Sequence, residues 1–229
     1  MRVNKNIEMI EIVALGLEEI LDSVVFVGGA VASLYSDDPG AMHIRPTKDV
    51  DCIIEIAGRV EFNKLEDKLR GKGFRHDTRD GAPICRWIYK DVLVDVMPVD
   101  ETNLGFSNRW YKEGMDHLIR VPLSGGLEIS LLSLTFYIAT KIEAFHGRKE
   151  SDFRISHDIE DVIITLDGIL NFDEFFNAPD TVRAYLIGQF SAFMKDLTFI
   201  ESVSSHIDQG QSPARTKRIV DFLKDFCKK

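Results

Sequence analysis

The sequence predicts an α+β protein, with a mixed sheet and flanking helices in its N-terminal half and a helical bundle in its C-terminal half. Two observations lead there. Up to about residue 100, short β-branched runs alternate with charged helical stretches, whereas beyond about residue 131 apolar residues recur at helical spacing. A third sets the scale: 229 residues, 45% hydrophobic and 28% charged, suit one compact unit or two small ones and exclude a disordered or fibrous chain. The expected division is an α/β part over residues 1–120 and a mainly helical part over 121–229.

Ile7, Ile10, Val13, Ala14, Leu17, Ile20 and Leu21 fall on one helical face with acids between them, predicting an amphipathic first helix over 7–21. Val24-Val25-Phe26-Val27 then reads as a strand that stops at Gly28-Gly29, and residues 30–35 as a helix. Residues 36–46 have loop composition, 49–56 return to strand, and 61–70 form a charged helix ended by Gly71 and Gly73. The apolar runs 83–89 and 92–97, joined by Lys90-Asp91, predict an antiparallel hairpin. Short extended pieces are expected near Leu118, followed by helices over about 131–147, 157–167, 181–197 and 214–227, with Ser156 and Ser212 as N-caps. Phe136, Tyr137, Phe145, Phe172, Phe175 and Phe176 read as helical core rather than as a base-stacking platform.

The net charge of −9 gives no general attraction to nucleic acid or anionic lipid. Residues 211–229 depart from this, with six basic side chains against two acids, which leaves the rest of the chain at −13. Cys52, Cys85 and Cys227 are too scattered for a disulfide framework or a zinc site, and a reducing cytoplasm is the expected home. No apolar run reaches the roughly 18 residues of a membrane span, and Glu8, Glu11, Glu18 and Glu19 stand where a signal peptide would be apolar. An unprocessed protein with no membrane association is therefore expected.

The chemistry concentrates in three stretches: VVFVGGAVASLY, RPTKDVDCIIEI and VLVDVMPVD. Asp49 and Asp51, two apart on a strand, leave the same face about 7 Å apart at Cα, a geometry that can hold a hard divalent cation. Asp95 on a neighbouring strand would complete a three-carboxylate set, and such a set beside a nucleotide suits Mg²⁺, which keeps waters and phosphate oxygens. Gly28-Gly29 allows close approach of backbone to phosphate, helped by the N-terminus of the helix after it. Taken singly, each feature has an ordinary explanation: an Asp-x-Asp pair is usually the outward face of a half-buried strand, and Gly-Gly a turn.

Their order along the chain resembles the nucleotidyltransferase superfamily, whose signature runs strand, Gly-[Gly/Ser], helix, loop and Asp-x-[Asp/Glu] on the next strand. The stretch LTFYIATKIEAFHGRKESDFRISHDIEDVI is similar to the AbiEii-type nucleotidyltransferase toxins, and the resemblance covers about residues 23–165. It implies that Gly28 and Gly29 cradle the triphosphate with Ser33 and Lys48 nearby, that Asp49, Asp51 and Asp95 bind metal, and that Asp95 activates the acceptor. It further implies that Lys141 neutralises phosphate charge from a helical part closing over the site, and that Asp158 or Asp161 orients that lysine or the nucleotide. Three departures stand out: Ala30 replaces a frequent Ser or Thr, nineteen residues separate Gly29 from Asp49, and His157 stands where an Arg is typical.

Read from the residues alone, Lys141 could simply reach solvent, and Asp158 and Glu160 could serve the dipole of a helix first turn. His146, His157, Asp158 and Asp161 invite a His-Asp metal phosphohydrolase reading, which leaves the glycine and Asp-x-Asp pattern unexplained. The resemblance makes the expected function an Mg²⁺-dependent transfer of NMP from an NTP, with one or two ions, to a tRNA or protein hydroxyl. The chain would then be the toxin of a toxin–antitoxin pair, with an antitoxin as partner. The alternatives are a small-molecule nucleotidyltransferase of the antibiotic-modifying type and a catalytically inactive nucleotide-binding module.

Overall fold

The computed structural model describes residues 4–41, 45–148, 152–207 and 212–228. It bears out the α+β class, with one seven-stranded mixed sheet and flanking helices. The chain divides into two units, 1–31 with 46–133, and 32–45 with 134–229. The first unit thus runs past residue 120, because two further strands join the sheet, and the segment 32–45 belongs with the helical part.

In the first unit, helix α1 (Lys5–Leu17) buries Ile10, Val13, Ala14 and Leu17, and Asn4 caps it by accepting from the amides of Asn6 and Ile7. It is shorter than the periodicity implies. Glu18 takes φ 48°, and residues 18–23 continue as a 3-10 turn that still buries Ile20. Strand β1 (Val24–Val27) is buried throughout and pairs antiparallel with β2 (Asp49–Ile54). Helix α2 (Arg59–Gly71) and the short β3 (Arg75–His76) lead to the hairpin β4 (Arg86–Tyr89) and β5 (Val92–Pro98). Lys90 and Asp91 both have positive φ, 44° and 65°, the conformation of a two-residue hairpin turn whose twist matches its strands. Residues 83–85 lie before the strand.

After the single turn α3 (Tyr111–Gly114), β6 (Leu118–Pro122) and β7 (Glu128–Leu132) form a second hairpin. The sheet order is β3-β4-β5-β2-β1-β7-β6, with β2/β5 and β1/β7 parallel and the other pairs antiparallel. Residues 131–132, expected to begin a helix, are the end of β7. Ile129, Leu131 and Leu132 are buried, with Ser130 and Leu131 paired to central β1, and periodicity alone cannot separate a buried strand from a buried helix.

The second unit comprises α4 (Leu134–Gly147), α5 (His157–Gly168), α6 (Asp173–Asn177), α7 (Asp180–Phe193), α8 (Leu197–Ser205) and α9 (Ser212–Phe226). Helix α4 is buried on all sides over Leu134–Ile142, as a central helix must be when it is apolar all round. The expected helix 181–197 is α7, which ends at Phe193, and α8 lies beyond the expected helices. Asp196 accepts from the amide of Thr198 and caps α8, restarting the helix after α7 has ended at Phe193. Ser156 caps α5 as expected, whereas the Ser212 side chain lies outside the described residues.

Phe136, Tyr137, Phe145 and Phe175 are buried core, as expected, whereas Phe172 and Phe176 are half-buried at its margin. Phe172 stacks on Phe222, and Phe175 and Phe176 meet Phe222 and Phe226 edge-on. Among the described residues, no helix is long and apolar enough to cross a membrane. The three cysteines are free, with Cys52 and Cys85 buried.

Candidate active site

The register of the sheet builds the carboxylate set. Val27 of β1 lies opposite Asp51 of β2, Asp51 opposite Asp95 of β5, and Asp95 opposite Arg86 of β4. Directly paired residues point to the same face, so Asp51, Asp95 and Arg86 share one face, and Asp49, two residues before Asp51, joins them. The opposite face carries Val50, Cys52, Val94 and Val96, all buried, and this alternation fixes which way the acids point. Because β1 runs antiparallel to β2, its C-terminal end at Gly28 reaches the sheet edge where Asp49 and Asp51 begin.

Gly28 has φ 74°, and a Cβ placed there would lie 1.8 Å from Oδ2 of Asp51. The glycine is required by that carboxylate's approach as well as by the turn. The next segment departs from expectation: Gly29–Tyr35 is a 3-10 helix, not an α-helix. Its hydrogen bonds are less well aligned, so the dipole it offers a phosphate is weaker than that of an α-helix. Ala30 is buried within it, Ser33 is half-buried there in the second unit, and Lys48 is exposed just before β2.

Arg86 dominates the electrostatics of the face. Its Nε donates to Oδ1 of Asp95 at 2.7 Å, and its Nη2 donates to Oδ2 of Asp95 at 2.7 Å and to Oδ2 of Asp49 at 2.5 Å. The hydrogen bonds it donates to Asp95 push the guanidinium pKa further above its already high value, and with the attraction of Asp95, Asp49 and Asp51 they outweigh burial. No motif in the sequence singles out Arg86. Counting outward from the Lys90-Asp91 turn would find it, since Tyr89, Ile88, Trp87 and Arg86 face Val92, Leu93, Val94 and Asp95 in turn.

Asp49, Asp51 and Asp95 are oxygen donors of the kind Mg²⁺ takes, on one face, and Gly28 leaves room for the Asp51 carboxylate. As they stand, however, the acids are arranged around a guanidinium. Among the described residues, no group of three or more His, Cys, Asp or Glu side chains is arranged to hold a metal ion.

The second unit brings Lys141, Asp158 and Asp161 together. Nζ of Lys141 lies 2.7 Å from Asp161 and 3.5 Å from Asp158. Arg45 grips both oxygens of Asp161 at 2.8 and 2.9 Å, and Arg148 lies 2.6 Å from Asp158. Lys141 is buried rather than reaching solvent, and Asp158 is buried rather than a solvated first-turn acid. Burial pushes the Asp161 pKa up, but the charge of Lys141 and the hydrogen bonds and charge of Arg45 more than offset it and hold the group below its ordinary value. Arg45 and Asp161 are 116 residues apart, and nothing in the local sequence pairs them.

The His-Asp reading finds no support in this arrangement. His157 is exposed and pairs with Glu160, His146 pairs with Gln189, and Asp158 is held by cations. The basic C-terminal segment is not a free patch either. Arg215 binds Asp38 and Asp167, Arg218 donates to the carbonyls of Asp167 and Ile169, Lys217 pairs with Asp221, and Lys228 with Asp225. The start of the long loop after Tyr35 is tied down in the same unit: the amides of Asp37 and Asp38 donate to the Gly168 carbonyl, and residues 42–44 lie outside the described residues.

No protein-family model matches this chain, and no curated protein matches it.

Proposed function

We propose that this protein is an Mg²⁺-dependent nucleotidyltransferase that moves NMP from an NTP to an acceptor hydroxyl. The observation that carries the reading is the register of β2 and β5, which sets Asp51 beside Asp95 with Asp49 on the same face, at the edge where β1 ends in Gly28. The likeness to the nucleotidyltransferase superfamily supports it further. Asp49 and Asp51 would hold Mg²⁺ with Asp95 as the third carboxylate, and the ion would supply charge neutralisation at the phosphates. The acceptor oxygen bonds to the α-phosphorus, the bond from that phosphorus to the bridging oxygen breaks, pyrophosphate leaves, and Asp95 receives the acceptor proton. Gly28 and Gly29 let the backbone approach the triphosphate, with Lys48 as a further nucleotide contact.

The AbiEii likeness points to a tRNA or protein acceptor and an antitoxin partner, with the cytoplasm as the place of action. One observation favours a small-molecule acceptor instead. The C-terminal basic residues, the chain's main local attraction for RNA, are largely paired with the protein's own acids and carbonyls.

Incubation with each α-³²P-labelled NTP, Mg²⁺ and whole-cell extract decides between these readings. Wild type is expected to label an RNA, a protein or a small product, and Asp51→Ala to lower that labelling about 100-fold or more. Equal labelling by the variant would sink the mechanism, and nucleotide binding without any labelled product would favour the inactive binding module. Growth arrest on expression, absent in the variant, supports the toxin, and drug resistance supports the small-molecule enzyme.

A further inference from the structure

We propose that Arg86 is a built-in counter-ion that competes with the divalent cation for the same carboxylate oxygens, so that loading the metal requires the guanidinium to let go. The proposal rests on the reading of Asp49, Asp51 and Asp95 as metal ligands.

Three features carry it. The first is where the guanidinium binds. It engages both oxygens of Asp95 and one of Asp49, two of the three carboxylates that a cation would use, across two different strands. An ion about 2.1 Å from those oxygens and a guanidinium at hydrogen-bond distance from them would place like charges within a few ångströms in a half-buried site. The second is charge balance. Three carboxylates on one face repel one another, and one guanidinium offsets a third of their charge, where a divalent cation offsets two thirds. The same face is therefore poised between a weaker partner already attached to the chain and a stronger one from solution.

The third is freedom to move. The Arg86 backbone is fixed by its pairing with Asp95, but its side chain is 19% exposed and its hydrogen bonds go to the two acids. Release costs no backbone contact. A released guanidinium stays on the same face as the carboxylates, where its fork of donors matches a phosphate. It would thus pass from the carboxylates to the nucleotide as the metal arrives, which makes metal and nucleotide binding mutually supportive.

Mn²⁺ binding without nucleotide, followed by the loss of the free-ion electron paramagnetic resonance signal, tests this with no reliance on turnover. Wild type is expected to bind Mn²⁺ weakly, Arg86→Gln about tenfold more tightly, and Asp51→Asn not at all. Arg86→Lys, which keeps the charge but not the fork, should fall between wild type and Arg86→Gln and serves if the glutamine variant does not fold. Thermal unfolding gives a second readout: Arg86→Gln loses stability without metal and regains it with Mn²⁺, more than wild type does. In the presence of a non-hydrolysable NTP and Mn²⁺, Arg86→Gln should bind the nucleotide more weakly than wild type. If wild type binds Mn²⁺ through Asp51 and removing the guanidinium leaves the affinity equal or lower, competition is overturned while the metal reading stands. If no folded variant binds Mn²⁺, both are overturned.

Discussion

Asp161→Asn is expected to lower the unfolding free energy by about 3–5 kcal/mol, the usual cost of breaking a buried ion pair by removing one partner. In a chain of this size that corresponds to a fall in Tm of roughly 6–20 °C. Asp161 is fully buried and is the shared anion of Arg45 and Lys141. Asparagine keeps its shape but removes its charge, and the remaining partners are poorly placed to substitute: Glu160 lies 3.7 Å from Arg45, and Asp158 lies 3.5 Å from Lys141. The exposed pair of Arg154 and Asp152 is the control, and Asp152→Asn should cost far less than Asp161→Asn. A cost for Asp161→Asn no greater than that of the control would refute the assignment.

The pH dependence of that difference has a definite sign. The Asp161 pKa is held below its ordinary 3.8 in the folded protein, so its stabilisation is complete above the unfolded value and is lost as pH falls through the folded one. The gap between wild type and Asp161→Asn should stay level from about pH 8 to about pH 5 and narrow only below about pH 4. Urea denaturation at a series of pH values measures it. A gap that changes around neutrality would point to a different group.

Gly28→Ala is expected to cost about 2–5 kcal/mol, combining left-handed strain of roughly 1–2 kcal/mol with overpacking of roughly 1–3 kcal/mol. The two parts can be separated within this molecule. Gly105 has nearly the same φ, 77°, but a Cβ there meets nothing within 4 Å, so Gly105→Ala reports the strain alone. The excess at Gly28 is the cost of pushing back Oδ2 of Asp51, and that movement should also weaken Mn²⁺ binding, whereas Gly105→Ala should leave it unchanged. Equal effects of the two substitutions on stability would mean that Asp51 moves aside freely.

Local patterns in the sequence predict much of this architecture. β1 is legible because four apolar residues end at a glycine pair, and β2 because Val50 and Cys52 alternate with Asp49 and Asp51. The β4–β5 hairpin follows from two apolar runs around two residues. The 3-10 segments are not legible, since Glu18 to Ser23 and Gly29 to Tyr35 keep helix-like apolar spacing while their backbones tighten. Nor is the break between α7 and α8, where one capping acid interrupts an otherwise continuous pattern. The acids can be proposed from spacing because they lie on neighbouring strands. Their cation, Arg86, follows by counting back from the hairpin turn, but the pairs of the second unit do not follow from spacing: Arg45 reaches Asp161, and Arg215 reaches Asp38, across stretches of chain that no periodicity spans.

The two-residue turn at Lys90-Asp91 has a consequence for how this protein tolerates change. It touches none of the acids, yet it sets the phase with which β4 meets β5. Substitutions that keep a positive φ there should be nearly silent. One inserted or deleted residue would instead slip the hairpin by a step, turn Arg86 to the apolar face and bring Trp87 or Cys85 against Asp95. In this hairpin, length rather than identity is the heritable constraint, and a tract of chain remote from the chemistry works as its spacer.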